Sequence, residues 1–313
     1  MNQETVDFKQ FKRVLLIYNP NSGKQVFASM LSKVNELKEL VGKLVGHKNV
    51  VMTELRSFDK LEGWADKIVA EKYDWVIVAG GDGTLRALIG MLEGCGYIPY
   101  ISVFPAGTVN LVAKELLLTS NPIKWLQRVC KGHVVPVRMG KANGHIFLTV
   151  AGIGFDSLVV ENVSSIEKKL LSAMAYVWQT TEVMRKELLF NDWRYSFKVR
   201  LDGETMRYNA SSVIIGKSRY YGGIYSLFKS GNLTNDAFDV AIFTGNTRED
   251  FLHYAVSIVL ESLHMDRNVL FRKAHTIEIL SNEENFPVEL DGDAVTTTPL
   301  KIEMHPVILR FLA

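Results

Sequence analysis

The run Val76-Ile-Val-Ala-Gly-Gly-Asp-Gly-Thr-Leu85 drives an apolar strand into three glycines wrapped around one carboxylate. The stretch before it is too short for a helix and too apolar for a loop, so it reads as a buried strand. The stretch after it, 84–94, has apolar residues at helical spacing. The same unit recurs on either side. Strands are expected at 13–20, 50–56, 74–80 and 100–107, with helices at 24–44, 60–72, 84–94 and from 110. Four alternations of strand and helix with short connections predict an α/β domain built on a parallel sheet with helices on both faces.

Three of the four strands end in a polar, glycine-bearing turn. These are Asn19-Pro-Asn-Ser-Gly-Lys24, Gly80-Gly-Asp-Gly-Thr84 and Pro105-Ala-Gly-Thr-Val-Asn110. In a parallel sheet all three fall at the carboxyl edge, where such folds bind ligands. Glycine allows close backbone approach, and free amides at a turn and helix start attract phosphate. Gly80, Gly81 and Gly83 therefore read as a phosphate cradle. Asp82 is out of place there, because a carboxylate repels phosphate. Mg²⁺ arriving with a nucleotide triphosphate resolves the conflict, with Asp82 on the metal directly or through water. The alternative is a glycine-rich turn with Asp82 as a local cap. Thr84 is expected to cap the following helix. Asn19–Lys24 is not a Walker loop, since Gln25 stands where Ser or Thr is required.

Beyond about residue 131 the texture changes to short runs rich in Val, Ile and Phe, separated by Gly, Asn and Asp. This half reads as a mostly antiparallel β-sandwich, interrupted by helices at 164–189 and 249–265. The division expected is 1–131 plus a returning segment at about 298–313, against 132–297. A strand at 288–290 ends in Asp291-Gly292-Asp293, two carboxylates flanking a glycine. One reading is proton abstraction from a hydroxyl by one carboxylate with the other in support; the other is a plain turn.

Bulk properties exclude other classes. The 313 residues are 47% hydrophobic and 22% charged, as in folded globular proteins. A net charge of +2 argues against nucleic acid as a partner. The two cysteines, Cys95 and Cys130, form no metal motif and fit a reducing cytosol. No apolar run reaches the length of a membrane span, and the N-terminus lacks a signal-peptide core. The most apolar stretch, 251–265, reads as an amphipathic helix against a core.

Taken together and in order, these motifs resemble the diacylglycerol kinase catalytic-domain family, which includes YegS-like lipid kinases and sphingosine and ceramide kinases. The resemblance runs from about Arg13 to Ala313. Asn19–Lys24 is similar to the family's opening Asn-Pro-x-Ser-Gly, Gly80–Thr84 to its nucleotide signature, and Pro105–Asn110 to its Pro-x-Gly-Thr-x-Asn segment. "AGIGFDSLVV" and "ELDGD" resemble its two later motifs. The resemblance implies a phosphofructokinase- or NAD kinase-like α/β domain followed by a β-sandwich. It also implies transfer of the γ-phosphoryl group of ATP, with Mg²⁺, to a lipid hydroxyl at a membrane surface. Asn19, Ser22, Gly80, Gly81, Asp82, Gly83, Thr84, Gly107, Thr108 and Asn110 would bind the nucleotide. Asp82 would meet its Mg²⁺, Asp291 would be the general base, and Asp293 would support it. Such a protein works in the cytoplasm, associates transiently with membranes, and leaves room for a homodimer. A nucleotide-binding regulator of the same fold and an NAD-type kinase are the other readings. The chain departs from the family at Ala87, where Glu is frequent. It departs again at Asn235–Asp239, where some members hold a structural Mg²⁺, and at Asp293, where the family has Glu. A helix at 166–190 and Tyr220–Gly223 are the sequence candidates for meeting the lipid.

Overall fold

The computed structural model describes residues 4–22, 27–55, 59–155, 157, 195–204, 207–223 and 225–313. The helix expected at 164–189, Gly23, Lys24 and Asp156 lie outside the described residues. The chain divides into two compact units, residues 1–137 with 307–313, and residues 138–306.

The first unit follows the alternation read from the sequence. β1 (Val14–Tyr18), α1 (Phe27–Val45), β2 (Val50–Glu54), α2 (Asp59–Ala70), β3 (Trp75–Gly80), α3 (Asp82–Glu93) and β4 (Tyr100–Pro105) succeed one another. The strands run parallel in the order β2-β1-β3-β4. β1 and β3 are buried along their whole length, as an apolar strand with both faces covered must be. The chain returns to this sheet at its end: Phe311 aligns beside Ile101 of β4. Ser102 locks that return, accepting a hydrogen bond from the Trp75 indole at 3.1 Å and donating to the Leu312 carbonyl at 2.8 Å. The fourth helix is shorter than its sequence pattern. α4 (Leu111–Glu115) stops where Leu117 takes a φ of 58°, and α5 (Pro122–Val129) follows. Asn121 starts α5 as its N-cap, accepting from the Lys124 amide, with Pro122 in the first turn.

After β5 (Val134–Ala142) and β6 (His145–Phe147), the second unit is antiparallel, its shortest strands being β9 (Tyr208–Ala210), β11 (Tyr220–Tyr221) and β12 (Tyr225–Ser226). One sheet has the order β14 (Val269–Ala274), β13 (Phe238–Phe243), β10 (Ser212–Gly216), β7 (Val150–Ile153), β16 (Pro287–Leu290), β17 (Asp293–Thr297). The other layer contains β15 (Thr276–Ser281), paired with β8 (Phe197–Leu201) and with residues 300–303. Aromatic rings fill the space between the layers. Phe147 stacks on Phe238 with centroids 5.8 Å apart, and Phe197 meets Phe286 edge-on at 5.0 Å. The single helix expected at 249–265 is instead α6 (Arg248–Val259) followed by a 3-10 turn, Leu263–Met265. Glu261, at φ 53°, breaks the run in a way that apolar periodicity does not reveal.

Candidate functional site

In the first unit the three turns meet through specific contacts. The Asn19 side chain, only 8% exposed, donates through Nδ2 to the Thr84 hydroxyl at 2.9 Å. Its Oδ1 accepts the Asn21 amide, and its backbone amide bonds the Ala79 carbonyl at 3.0 Å. The first turn is thereby sewn to the end of β3 and the start of α3. Ser22 joins through its backbone amide, which donates to the Asn19 carbonyl at 3.1 Å.

The second and third turns touch backbone to backbone. A methyl group on Gly107 would lie 2.6 Å from the Gly81 Cα and 2.7 Å from Asn110 Oδ1. No side chain fits at either position without moving the main chain. Asn110 holds the third turn closed. Its Oδ1 accepts the Gly107 amide at 2.9 Å, while its Nδ2 donates to the Gly107 carbonyl at 2.7 Å. Asn110 itself sits at φ 56°, in the left-handed region that Asn tolerates better than most residues. Thr108 is exposed at the crest of this turn.

Two expectations are corrected here. Helix α3 begins at Asp82, not at Thr84, and its N-cap is Gly81, with no side-chain cap. Thr84 lies inside the first turn, 4% exposed, and its hydroxyl accepts from Asn19 rather than capping. Gly83 is half-buried in the same turn. The cause is steric. A methyl on Gly80 would stand 3.0 Å from the Thr84 Cβ, so the helix can start tight against the strand only because that methyl is missing.

Asp82 is tied in a way its sequence context does not suggest. Oδ2 accepts the Leu111 amide at 2.8 Å and Oδ1 accepts the Val112 amide at 3.1 Å. These are the first two amides of α4, thirty residues downstream by fold rather than by local turn. A carboxylate on a helix N-terminus is favoured by the unsatisfied amides and the helix dipole. The charge that looked hostile to phosphate is thus partly offset by α4, while the N-terminus of α3 remains the anion-attracting end of the longer helix.

The second unit supplies the other carboxylates. Asp291 occupies the left-handed region at φ 51° at the end of β16. Its Oδ1 accepts the Thr149 amide at 2.8 Å, the Thr149 hydroxyl at 2.6 Å and the Val150 amide at 3.2 Å. Its Oδ2 accepts the Leu148 amide at 2.8 Å. Its own amide returns the contact to the Val150 carbonyl at 2.9 Å. Asp293 begins β17, paired with Leu290 across the turn. Glu289, 4% exposed in β16, accepts the Gly292 amide. Sequence reasoning missed Thr149 and Glu289. Thr149 sits in an apolar run that reads as unbroken strand, and Glu289 in an apparent solvent-facing position of an alternating one.

Next to this cradle, the Thr149 carbonyl accepts the amides of Lys217 (2.7 Å) and Ser218 (3.2 Å). Lys217 is 1% exposed, its ammonium donating to the Asn235 carbonyl and lying 5.8 Å from the Phe238 ring. Burial, reinforced by the Arg138 charge and opposed by Asp236 and Asp239, pulls its pKa down to about 8. Asp239 accepts from Lys273 at 2.8 Å and from the Ser230 hydroxyl at 2.9 Å. In the 235–239 segment, the Asn235 carbonyl and Asp239 Oδ1 each accept from a lysine ammonium. Among the described residues, no cluster of three or more His, Cys, Asp and Glu is arranged to hold a metal. Asp82 in the first unit does fit an ion carried in by phosphates, since Mg²⁺ typically takes one or two protein carboxylates and completes its shell with phosphate oxygen and water.

Comparison with known proteins agrees with this architecture. The family model of the diacylglycerol kinase catalytic domain matches residues 13–142, and that of the YegS C-terminal NAD kinase beta sandwich-like domain matches 149–313. A diacylglycerol kinase of Staphylococcus carnosus is 28% identical over 284 residues, covering 90% of this chain and 89% of its own. One from Bacillus subtilis is 25% identical over 284 residues, covering 90% of each. A crystal structure of a diacylglycerol kinase from Bacillus anthracis superimposes with a TM-score of 0.70 over 97% of both chains, at 22% identity, which speaks for the fold.

Proposed function

The chain belongs to the diacylglycerol kinase catalytic-domain family and is a lipid kinase, and from that premise we propose that it moves the γ-phosphoryl group of ATP to the hydroxyl of diacylglycerol or a closely related lipid. The observation that carries the nucleotide half of this reading is the Gly81–Gly107 contact. It brings the turns after β3 and β4 together at the carboxyl edge of the sheet, beside the N-terminus of α3. Backbone amides there recognise phosphate without needing a basic side chain. Asn19 and Asn110 hold the turns in register. Mg²⁺ bound with the nucleotide would be held at Asp82 and would neutralise charge on the phosphates.

In the reaction the lipid hydroxyl oxygen forms a bond to the γ-phosphorus as the bond to the β-bridging oxygen breaks. ADP leaves, and the hydroxyl proton passes to a carboxylate. We assign that carboxylate to Asp291. Hydrogen bonds from Leu148, Thr149 and Val150 fix its orientation. Asp293 supports it from the next strand. Being one methylene shorter than the Glu frequent in relatives, it reaches less far.

The test is transfer of labelled γ-phosphate from ATP to a panel of hydroxyl-bearing lipids in detergent micelles, wild type beside Asp291→Asn. Label is expected in diacylglycerol or one related lipid, with loss of at least about a hundredfold in the variant while ATP affinity holds. Full activity of Asp291→Asn would sink the base assignment. ATP binding with no transfer to any lipid would sink the proposed reaction.

A further inference from the structure

Lys217 is the most deeply buried charged side chain among the described residues. An ammonium loses its hydration on burial, and lysine is seldom fully enclosed unless paired. The hydrogen bond it makes goes to a neutral group, the Asn235 carbonyl. Asp236 and Asp239 favour its charge from further off, while Arg138 and Lys273 oppose it. The Asp239 carboxylate is itself occupied, since its Oδ1 accepts from Lys273 and from the Ser230 hydroxyl. Methionine, of similar length and without charge, would escape the cost of burial. A costly group that packing alone does not need marks a functional place more often than a structural one.

The ammonium ties a turn to a strand end. Lys217 directly follows β10, and the segment 228–235 packs against the backbone just beyond that strand. A methyl on Gly231 would stand 2.6 Å from the backbone of Ser218 and Arg219, and the Phe228 amide donates to the Arg219 carbonyl at 3.2 Å. Asn235 Nδ2 donates to the Ser230 carbonyl at 2.9 Å, so the residue that receives the ammonium also closes the turn. The same strand end reaches the Asp291 cradle. The Lys217 and Ser218 amides both donate to the carbonyl of Thr149, whose own amide and hydroxyl hold Asp291. Thr149, fully buried, is the one residue between the backbone of Lys217 and the carboxylate of Asp291.

We propose that Lys217 is a positioning residue: its buried ammonium braces the 228–235 segment against the end of β10, and through Thr149 that brace fixes the carboxylate of Asp291. The inference rests on the assignment of Asp291 as the base. Apolar packing is non-directional, whereas a charged donor on a carbonyl sets a distance and an angle. A base displaced by an ångström loses much of its effect on the rate.

The test compares wild type with Lys217→Met at pH 7 by thermal melting, amide hydrogen exchange and phosphate transfer to micelle-dispersed diacylglycerol. The amides of Leu148, Thr149 and Val150 donate to Asp291, so their exchange reports on the clamp without any turnover. The variant is expected to melt at or above the wild-type temperature, because the cost of burying the charge is gone. Those three amides are expected to exchange about tenfold faster or more, while Val199 and Ile279 in the other layer keep their rates. The kcat is expected to fall about tenfold or more with the KM for ATP unchanged. Lys217→Gln replaces the methionine if that variant does not fold. Unchanged exchange at 148–150 overturns the brace. So does faster exchange everywhere with a lower melting temperature, which makes the ammonium a general support of the fold. Faster exchange at 148–150 with kcat intact removes the positioning role. Wild type that transfers no phosphate, with the local exchange response present, breaks the kinase reading and leaves the brace standing.

Discussion

Asp82 and Asp291 look alike in one dimension and differ in three. Each follows an apolar strand, each is beside glycine, and each reads as a chemical carboxylate. Asp82 lies in the first turn of a helix and spends two bonds on the amides of another. Asp291 lies in a left-handed hairpin position and accepts four bonds from Leu148–Val150. The first carboxylate joins two glycine-bearing turns into one structure. The second is itself held, like a part clamped for use. A Gly-Asp motif at a strand end therefore says that a carboxylate will be immobilised, and the element that immobilises it decides its task.

The largest expected effect separates the two. Asp291→Asn should lower kcat about a thousandfold and leave ATP affinity unchanged, as loss of a general base does. Asp82→Asn should weaken ATP binding and also cost stability. One oxygen can still accept an α4 amide, but the new NH₂ group faces the other, and leaving it unsatisfied costs about 1–3 kcal/mol. Equal effects of the two variants on kcat and on ATP affinity would erase the distinction.

Gly107→Ala ranks next. Its methyl would meet backbone at 2.6 Å, so the two glycine-bearing turns must part, at about 1–3 kcal/mol and with weakened nucleotide binding as the expected outcome. Urea unfolding and ATP titration read both. An unchanged ATP affinity would show that the close approach serves folding only. Thr149→Val is milder. It removes the 2.6 Å hydroxyl bond to Asp291 while keeping the three amide bonds from residues 148–150, for about 1 kcal/mol of stability. A loss of kcat far beyond its effect on melting would make Thr149 a positioning residue for the base.

The smallest effect concerns a buried residue beside that cradle. Lys217 has a folded pKa of about 8 against its ordinary 10.5. Between those values the unfolded chain binds more protons than the folded one, so stability rises with pH across that window. Below about pH 8 the cost of burying the ammonium is fully present; above about 10.5 it is gone. Lys217→Met should flatten this rise, seen as the difference between wild-type and variant urea midpoints from pH 7.5 to 10. An unchanged slope would mean that the ammonium is better compensated than its burial implies.

Much of this was legible in the chain. The alternation of apolar strands and periodic helices, the three polar turns at one sheet edge and the switch to short β runs each depend on neighbours in sequence, so local pattern carries them. Their order along the chain was enough to point to the family. What pattern does not carry is which groups meet across a distance. Asp82 finds the amides of residues 111 and 112, Thr84 finds Asn19, and Asp291 finds a bend at Thr149 hidden in an apolar run. The segment at 235–239 finds Lys217, just past the end of β10, and Lys273 of β14. Hydrogen-bond partners are chosen by packing, after the apolar surfaces have chosen the topology. For this reason the residue types announce the chemistry, and only the folded chain assigns each carboxylate its work.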